Sequence, residues 1–155
     1  MPPALTLQAA APDDAVALVV TASAGPDAAA VLDPRASAHL RAAGIPCLIL
    51  STERNPVVAS RAKKIRIPVV QGISDKAQEV LNQCRAREID PREVAYVGND
   101  LNDLAAMQQV GMPWCPADAA PEVRRICALT LKARGGEGVV REIARRLGLK
   151  WKPQK

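Results

Sequence analysis

Five short runs of mainly aliphatic residues recur along this 155-residue chain, each four or five residues long. Runs that are apolar at almost every position are typical of strands buried on both faces of a sheet. The segments between them carry helical patterns, so the strands are joined by right-handed crossovers and form a parallel sheet. The predicted fold is therefore α/β, a single three-layer, Rossmann-like domain. The five runs are Val16–Val20, Pro46–Leu50, Ile67–Val70, Val94–Val97 and Met112–Cys115.

Capping residues bound the helices that we predict between these strands. Asp33 supplies an N-cap before Pro34 at the first helical position, and Gly44 ends that helix. The remaining boundaries are a Ser74 cap on a helix over Asp75–Arg87, a capping box at Asp90–Glu93, a helix over Leu101–Val110 that ends at Gly111, and a last basic helix over Gly138–Leu147.

The composition is that of an ordinary globular domain. Hydrophobic residues make up 48% of the chain and charged residues 24%, which excludes a mainly disordered protein. No run reaches the roughly 18 apolar residues of a membrane span, and no basic region precedes the first apolar residues, so neither a membrane segment nor a leader is expected. We predict a flexible N-terminus over 1–14, the domain over 15–149 and a basic tail over 150–155.

The net charge of +5 comes mainly from the C-terminal end, where residues 132–155 carry eight Lys or Arg and two Glu. Such a run is typical of a solvated helix face, and the alternative is a surface that attracts anions. The aromatic side chains are only Tyr96, Trp114 and Trp151, which leaves no set of stacking platforms for bases. Nucleic acid is therefore not an expected partner.

Four cysteines stand far apart without a C-x-x-C pair, and the single histidine, His39, cannot complete a zinc site at a suitable spacing. We interpret these cysteines as small core residues of a protein in a reducing compartment. The expected location is the cytoplasm.

Polar residues follow the fourth predicted strand, in the order Gly98-Asn99-Asp100-Leu101-Asn102-Asp103. The site of a parallel sheet lies at the carboxyl ends of its strands, so this loop is a candidate for chemistry. Its two carboxylates, Asp100 and Asp103, together with two amides, suit a hard cation or a set of helix caps. The sequence pattern favours both interpretations equally.

Ser51 follows the second strand, and Lys76 lies near the start of the helix after the third. A hydroxyl at a helix start and a nearby ammonium group can bind an anion such as phosphate. The alternatives are that Ser51 is only a helix cap and that Lys76 faces solvent.

Five segments, in order, resemble the capless branch of the haloacid dehalogenase-type phosphatases, which implies that fold without a cap domain. The similarity covers about Asp33 to Leu147 and includes 3-deoxy-D-manno-octulosonate 8-phosphate phosphatases. The forms STERNP and GNDLND resemble most the phosphatase-like domain fused to N-acylneuraminate cytidylyltransferases. The segments are LILSTERNPVV, VVQGISDKAQEVL, VAYVGNDLNDLAAM, PADAAPEVRRICALTL and RGGEGVVREI.

This resemblance implies roles for individual residues. Ser51 would bind the transferring phosphoryl group, Lys76 would neutralise it, and the loop with Asp100 and Asp103 would be what remains of a magnesium site. A glycine-rich segment would reach a neighbouring subunit in a homo-oligomer, although a loop that caps the last helix is the simpler interpretation. Its residues are Gly135, Gly136, Gly138 and Arg141.

The chain departs from the family pattern where catalysis begins. Family phosphatases end the first strand in Asp-x-Asp, whereas this chain has Thr21 and Ser23 at the nucleophile and acid positions. A neutral hydroxyl without an adjacent base is a poor nucleophile, and serine cannot act as a general acid near neutral pH. Asn99 replaces a further acid, and Asp27 is the one displaced carboxylate that could substitute.

We therefore expect a catalytically degenerate phosphatase-like domain with an assembly or regulatory role in sialic or ulosonic acid metabolism. It would form a dimer or tetramer, it could have a cytidylyltransferase partner, and it would need no cofactor. The alternative is an active Mg²⁺-dependent phosphatase that hydrolyses a small phosphorylated sugar acid. The sequence leaves open whether the chain is a stand-alone protein or an excised domain.

Overall fold

A computed structural model of the chain describes residues 17–21, 34–52, 54, 56–134 and 138–146. Within these residues six parallel strands form one sheet, in the order β3-β2-β1-β4-β5-β6. The strands are β1 (Ala17–Thr21), β2 (Cys47–Leu50), β3 (Val69–Val70), β4 (Val94–Val97), β5 (Met112–Cys115) and β6 (Leu129–Thr130).

The direction of chain progression reverses at β1, which pairs with β2 on one side and β4 on the other. In open parallel sheets such a switch point positions a ligand at the carboxyl ends of the flanking strands. The register places Thr21 beside Leu50 and Val20 beside Val97. The loops after β1, β2 and β4 therefore leave the sheet at the same edge.

Helices cover both faces of the sheet, because side chains along each strand alternate between two apolar clusters. Ala95 and Val97 pack into one cluster, and Val94 and Tyr96 pack into the other. This arrangement confirms the predicted three-layer α/β fold. One layer contains α1 (Pro34–Ala42), α2 (Pro56–Ile65) and α6 (Val139–Arg146), and the other contains α3 (Lys76–Arg87), α4 (Leu104–Met107) and α5 (Pro121–Ile126).

Two local predictions are wrong, and one strand was missed. Asp75, not Ser74, caps α3, because its carboxylate accepts the backbone N–H of Gln78 at 3.0 Å. The helix predicted over 101–110 is a 3₁₀ turn followed by the short α4, because a capping box closes the first turn tightly. Strand β6 was not predicted, since two residues show no periodicity.

All four cysteines are free thiols, and Cys84 and Cys115 are buried in the core. In the described part of the chain, no helix has the length and apolar character needed to cross a bilayer. The predicted terminal segments 1–14 and 150–155 lie outside the described residues.

Candidate functional site

Ser51 stands directly after β2 at the carboxyl edge of the sheet, and it is fully buried. Its backbone N–H donates to the Val70 carbonyl at 3.0 Å, and its own carbonyl accepts the N–H of Ile73 at 3.2 Å. These bonds hold the loop after β3 against the end of β2. The structure therefore brings Ser51 close to the start of α3, as an anion site between the two segments requires.

Lys76 is the first residue of α3, and its side chain is only 6% exposed. The alternative that Lys76 faces solvent is therefore wrong. Its Nζ donates to Oδ1 of Asp103 at 2.9 Å. A buried ammonium group is costly unless it is paired, so this ion pair explains how a charged side chain is kept inside the domain.

Asp103 is fully buried and organises the loop after β4. Its Oδ1 accepts the Tyr96 hydroxyl at 2.8 Å as well as Lys76, and its Oδ2 accepts the N–H groups of Asn99 at 3.0 Å and Asp100 at 3.2 Å. A carboxylate offers about four lone-pair positions, and four donors occupy them here. Asp103 therefore acts as a positioning residue in this arrangement.

Tyr96 is the residue of this cluster that sequence reasoning missed. It lies in the middle of β4, and burial, together with the neighbouring Asp103 carboxylate and its hydrogen bond, raises the pKa of the Tyr96 hydroxyl. The hydroxyl therefore stays protonated and donates to Asp103. The available signal was a lone tyrosine in an aliphatic strand, since a buried tyrosine hydroxyl usually has a partner.

Gly98 allows the loop to close over Asp103. A Cβ at this position would lie 2.7 Å from Cβ of Asp103 and 2.7 Å from Sδ of Met107. No side chain fits without moving those atoms, so glycine is required for close approach between β4 and the turn after it.

The rest of this loop caps the 3₁₀ turn through Asp100 and contacts the start of α5 through Asn99. The exposed Asp100 accepts the N–H of Leu101 at 2.7 Å, and the Asn99 carbonyl accepts the N–H of Ala120 at 3.0 Å. The capping interpretation therefore describes the contacts of both Asp100 and Asp103 in this structure.

Among the described residues, the loop after β4 does not by itself complete a magnesium site. Mg²⁺ takes oxygen ligands in near-octahedral geometry and usually includes one or two carboxylates. Asp103 is fully occupied by donors, Asp100 is engaged in capping, and Asn99 offers a neutral amide. Among the described residues no group of three or more His, Cys, Asp or Glu side chains could hold a metal.

Thr21 is the last residue of β1 and lies beside Leu50 in the register. Its backbone therefore reaches the same edge as Ser51. Ser23 and Asp27 lie outside the described residues, as do Gly135 and Gly136 of the glycine-rich segment.

Gly138 and Arg141 lie at the start of α6, the helix that follows the edge strand β6. Glu142, which the sequence analysis did not single out, ties α6 to the loop after β6. Its carboxylate accepts the N–H groups of Lys132 at 3.0 Å and Ala133 at 2.7 Å and the Nε of Arg146 at 2.8 Å. Burial raises the pKa of Glu142, but these hydrogen bonds lower it by more, so the pKa of Glu142 lies below its usual range.

The model of the haloacid dehalogenase-like hydrolases matches residues 49–143, which is more than half of the chain and includes Ser51, Lys76 and Asp103. The chain belongs to this hydrolase family. The predicted family membership is thereby confirmed.

Known members of the haloacid dehalogenase-like hydrolases share sequence or fold with the chain. A 3-deoxy-D-manno-octulosonate 8-phosphate phosphatase of Yersinia pestis is 34% identical over 64% of the chain and 58% of its own length. The chain therefore spans under two thirds of that relative. A hydrolase of this family from Streptomyces avermitilis has a solved structure and is 35% identical to the chain. The two structures superpose with a TM-score of 0.78 over 88% of the chain and 87% of the length of that hydrolase.

A more distant solved structure, 21% identical in sequence, has the same fold, with a TM-score of 0.78 over 88% of the chain and 89% of the length of that protein. It is the 3-deoxy-D-manno-octulosonate 8-phosphate phosphatase of Moraxella catarrhalis, in complex with magnesium ion, phosphate ion and a 3-deoxy-D-manno-octulosonate molecule.

Proposed function

We propose that this haloacid dehalogenase-like chain binds a phosphoryl-type anion without hydrolysing it, and that it serves the assembly or regulation of an enzyme of sialic or ulosonic acid metabolism. One contrast carries the proposal. The cationic side of the site is built in full, with Lys76 held by Asp103, whereas β1 ends in Thr21 and the next polar residue is Ser23. On this proposal the chain retains its anion-binding groups and lacks the reacting acids of the family.

The buried position of Lys76 supports anion binding. Charges attract more strongly where water is excluded, so a phosphoryl group beside this ammonium would be held more tightly than at the surface. Asp103 carries the balancing charge, but it also accepts hydrogen bonds from Tyr96 and two backbone N–H groups, which disperse that charge. Ser51 adds a hydroxyl at the same edge.

The absence of a suitable nucleophile argues against turnover. By the family resemblance, a carboxylate at position 21 would attack phosphorus and a second at position 23 would protonate the leaving oxygen. Neutral Thr21 and Ser23 can do neither efficiently near neutral pH, and proton transfer by a positioned acid contributes about 10²–10⁴-fold to a rate. The family metal is not needed for binding alone, so we expect no cofactor.

Assembly is the remaining role for such a domain. We propose a cytoplasmic homo-oligomer, a dimer or tetramer with closed symmetry, in which the segment Gly135–Gly138 and Arg141 lie at an interface. A cytidylyltransferase is the proposed partner, on the strength of the STERNP and GNDLND forms alone.

A second candidate is an active Mg²⁺-dependent phosphatase acting on an ulosonate phosphate. The observation that favours it is the 34% identity to a 3-deoxy-D-manno-octulosonate 8-phosphate phosphatase. It requires an acidic nucleophile, for which Asp27 is the available carboxylate.

The two candidates separate in one assay. We expect the purified chain to release no more phosphate from a panel of sugar-acid phosphates with Mg²⁺ than its Thr21→Ala variant does. Turnover that depends on Mg²⁺ and is lost in Asp27→Asn would instead establish the phosphatase. Turnover that survives both substitutions would indicate a contaminating enzyme, which an extensively repurified sample would remove.

A further inference from the structure

We infer that the pocket ringed by Arg41, Arg66 and Arg87, at the amino edge of the sheet, binds a small anion that carries two or more negative charges on phosphate or carboxylate groups. This pocket has a volume of about 190 Å³. It lies where the strands begin, so it is separate from the proposed site at Ser51 and Lys76. The inference does not depend on the proposed function.

Three separate elements bring the arginines together. Arg41 lies in the last turn of α1, Arg66 follows α2, and Arg87 is the last residue of α3. No described carboxylate lines the pocket. The remaining lining residues are apolar or nearly so, and they are Ile45, Pro46, Cys47, Ile67 and Pro68.

Distance separates this pocket from the carboxyl edge. Cys47 is the first residue of β2 and lines the pocket, whereas Ser51 follows the last residue of the same strand. Four residues at about 3.3 Å each put the two edges roughly 13 Å apart. One small anion cannot occupy both places.

Arg66 and Arg87 carry charge that no described carboxylate balances. A helix carboxyl end carries about −0.5 elementary charge, so it offsets roughly half of one guanidinium group. In the described part of the chain Arg66 has no ion-pair partner, and Arg87 donates only to the amide oxygen of Gln83, at 3.4 Å. Guanidinium groups bind phosphate and carboxylate oxygens in pairs, which makes such anions the matching ligand.

Arg66 ends α2 in a left-handed backbone conformation, as Glu88 ends α3. Its φ of +60° is left-handed, at a helix end where glycine is the usual residue. An arginine there bears a backbone cost that glycine avoids. Burial raises the pKa of the nearby Cys47 thiol to about 11, with Arg41 acting in the opposite direction.

The volume limits the size of the ligand. Pockets for drug-sized molecules measure about 300–1,000 Å³, and this one is smaller. The ligand class is therefore a compact polyanion, and inorganic pyrophosphate and citrate are suitable probes for its phosphate and carboxylate forms.

Calorimetric titration of the full chain at low ionic strength tests this inference. Pyrophosphate should retain a binding event in Lys76→Met, where the carboxyl-edge site is lost. The same event should weaken at least about tenfold in Arg66→Gly/Arg87→Gln. Citrate is titrated in parallel, and the probe with the greater loss identifies the ligand form.

The controls exclude trivial explanations. Arg66→Gly suits the left-handed backbone, so its melting temperature should equal or exceed that of the parent, and lost binding would not reflect unfolding. Arg85→Gln/Arg124→Gln removes exposed arginines from the last turns of α3 and α5 and should bind like the parent.

Two results would overturn the inference. One is an isotherm in Arg66→Gly/Arg87→Gln that matches the parent. The other is a pyrophosphate signal that disappears completely in a Lys76→Met variant that circular dichroism shows to be folded, which would assign all anion binding to the carboxyl edge. Failure of the proposed function has a different signature, since it would leave the Lys76-independent event in place.

Discussion

Lys76 Nζ and Asp103 Oδ1 lie 2.9 Å apart, with the two side chains 6% and 0% exposed. The pair joins α3 to the loop after β4 across 27 residues of sequence. A buried ion pair is weak evidence for stability, because desolvation offsets much of the attraction. We therefore attribute its presence to the positioning of one ammonium group at the carboxyl edge of the sheet.

Removal of one partner should be far more damaging than removal of both. Asp103→Leu leaves Lys76 and the Tyr96 hydroxyl buried without their acceptor, so the free energy of unfolding should fall by about 3–5 kcal/mol. The double variant Lys76→Met/Asp103→Leu should lose less than the two single variants together. Urea unfolding followed by circular dichroism measures each value. Asp118→Ala, at a partly exposed site, is the control and should stay within about 0.5 kcal/mol.

Gly98→Ala tests the close packing behind the site. Because the added Cβ would lie 2.7 Å from side-chain atoms of Asp103 and Met107, the loop must shift, at a cost of about 1–3 kcal/mol. Gly44→Asn is the matched control, since Gly44 is left-handed but surrounded by open space, and asparagine tolerates that conformation. Equal unfolding midpoints for the two variants would contradict this account of Gly98.

The sequence was sufficient for the sheet and insufficient for the site's internal contacts. The runs at β2 and β4 predict strands because almost every position there is apolar, and the structure buries all of these residues except the half-buried Cys47. Lys76 and Asp103 were both identified as candidates, but their pairing depends on how α3 docks against the loop after β4. That docking is a tertiary property, and no local pattern encodes it.

Glu142 illustrates the same limit. Within a basic helix a glutamate suggests an ordinary i,i+4 pair, here with Arg146. The structure adds two backbone N–H groups from residues 132 and 133, which only the path of the loop after β6 brings within reach.

Glu142 should make stability depend on pH in the acidic range. Its pKa is lowered on folding, so it stabilises the folded chain above its unfolded pKa of about 4.3, and this contribution is lost as pH falls through the lower folded value. The stability difference between the parent and Glu142→Gln should therefore shrink between about pH 6 and about pH 3. A constant difference across that range would exclude this role for the Glu142 charge.

Phosphate should stabilise the chain through Ser51 and Lys76. In an Arg66→Gly/Arg87→Gln background, which removes the amino-edge arginines, phosphate should still raise the melting temperature. Adding Ser51→Ala and Lys76→Met should abolish that rise. A persistent rise would place the anion elsewhere, for example on the basic C-terminal segment.

The oligomer is best tested without disturbing α6. Val139, Val140, Ile143 and Ala144 are buried in the core, so a deletion that includes this helix would unfold the domain. Arg141→Glu changes the exposed face instead and should shift the mass measured by light scattering toward the monomer. Arg124→Glu, on α5, should leave the mass unchanged. A parent chain that is already monomeric at high micromolar concentration would remove the proposed interface.

The central claim is that the site lacks only its reacting acids, and restoring them tests this most directly. The variant Thr21→Asp/Ser23→Asp/Asn99→Asp should gain Mg²⁺-dependent phosphate release, at least about 100-fold above the parent, and lose it again when Lys76→Met is added. Hydrolysis by the parent at a rate equal to that of the restored variant would contradict the claim.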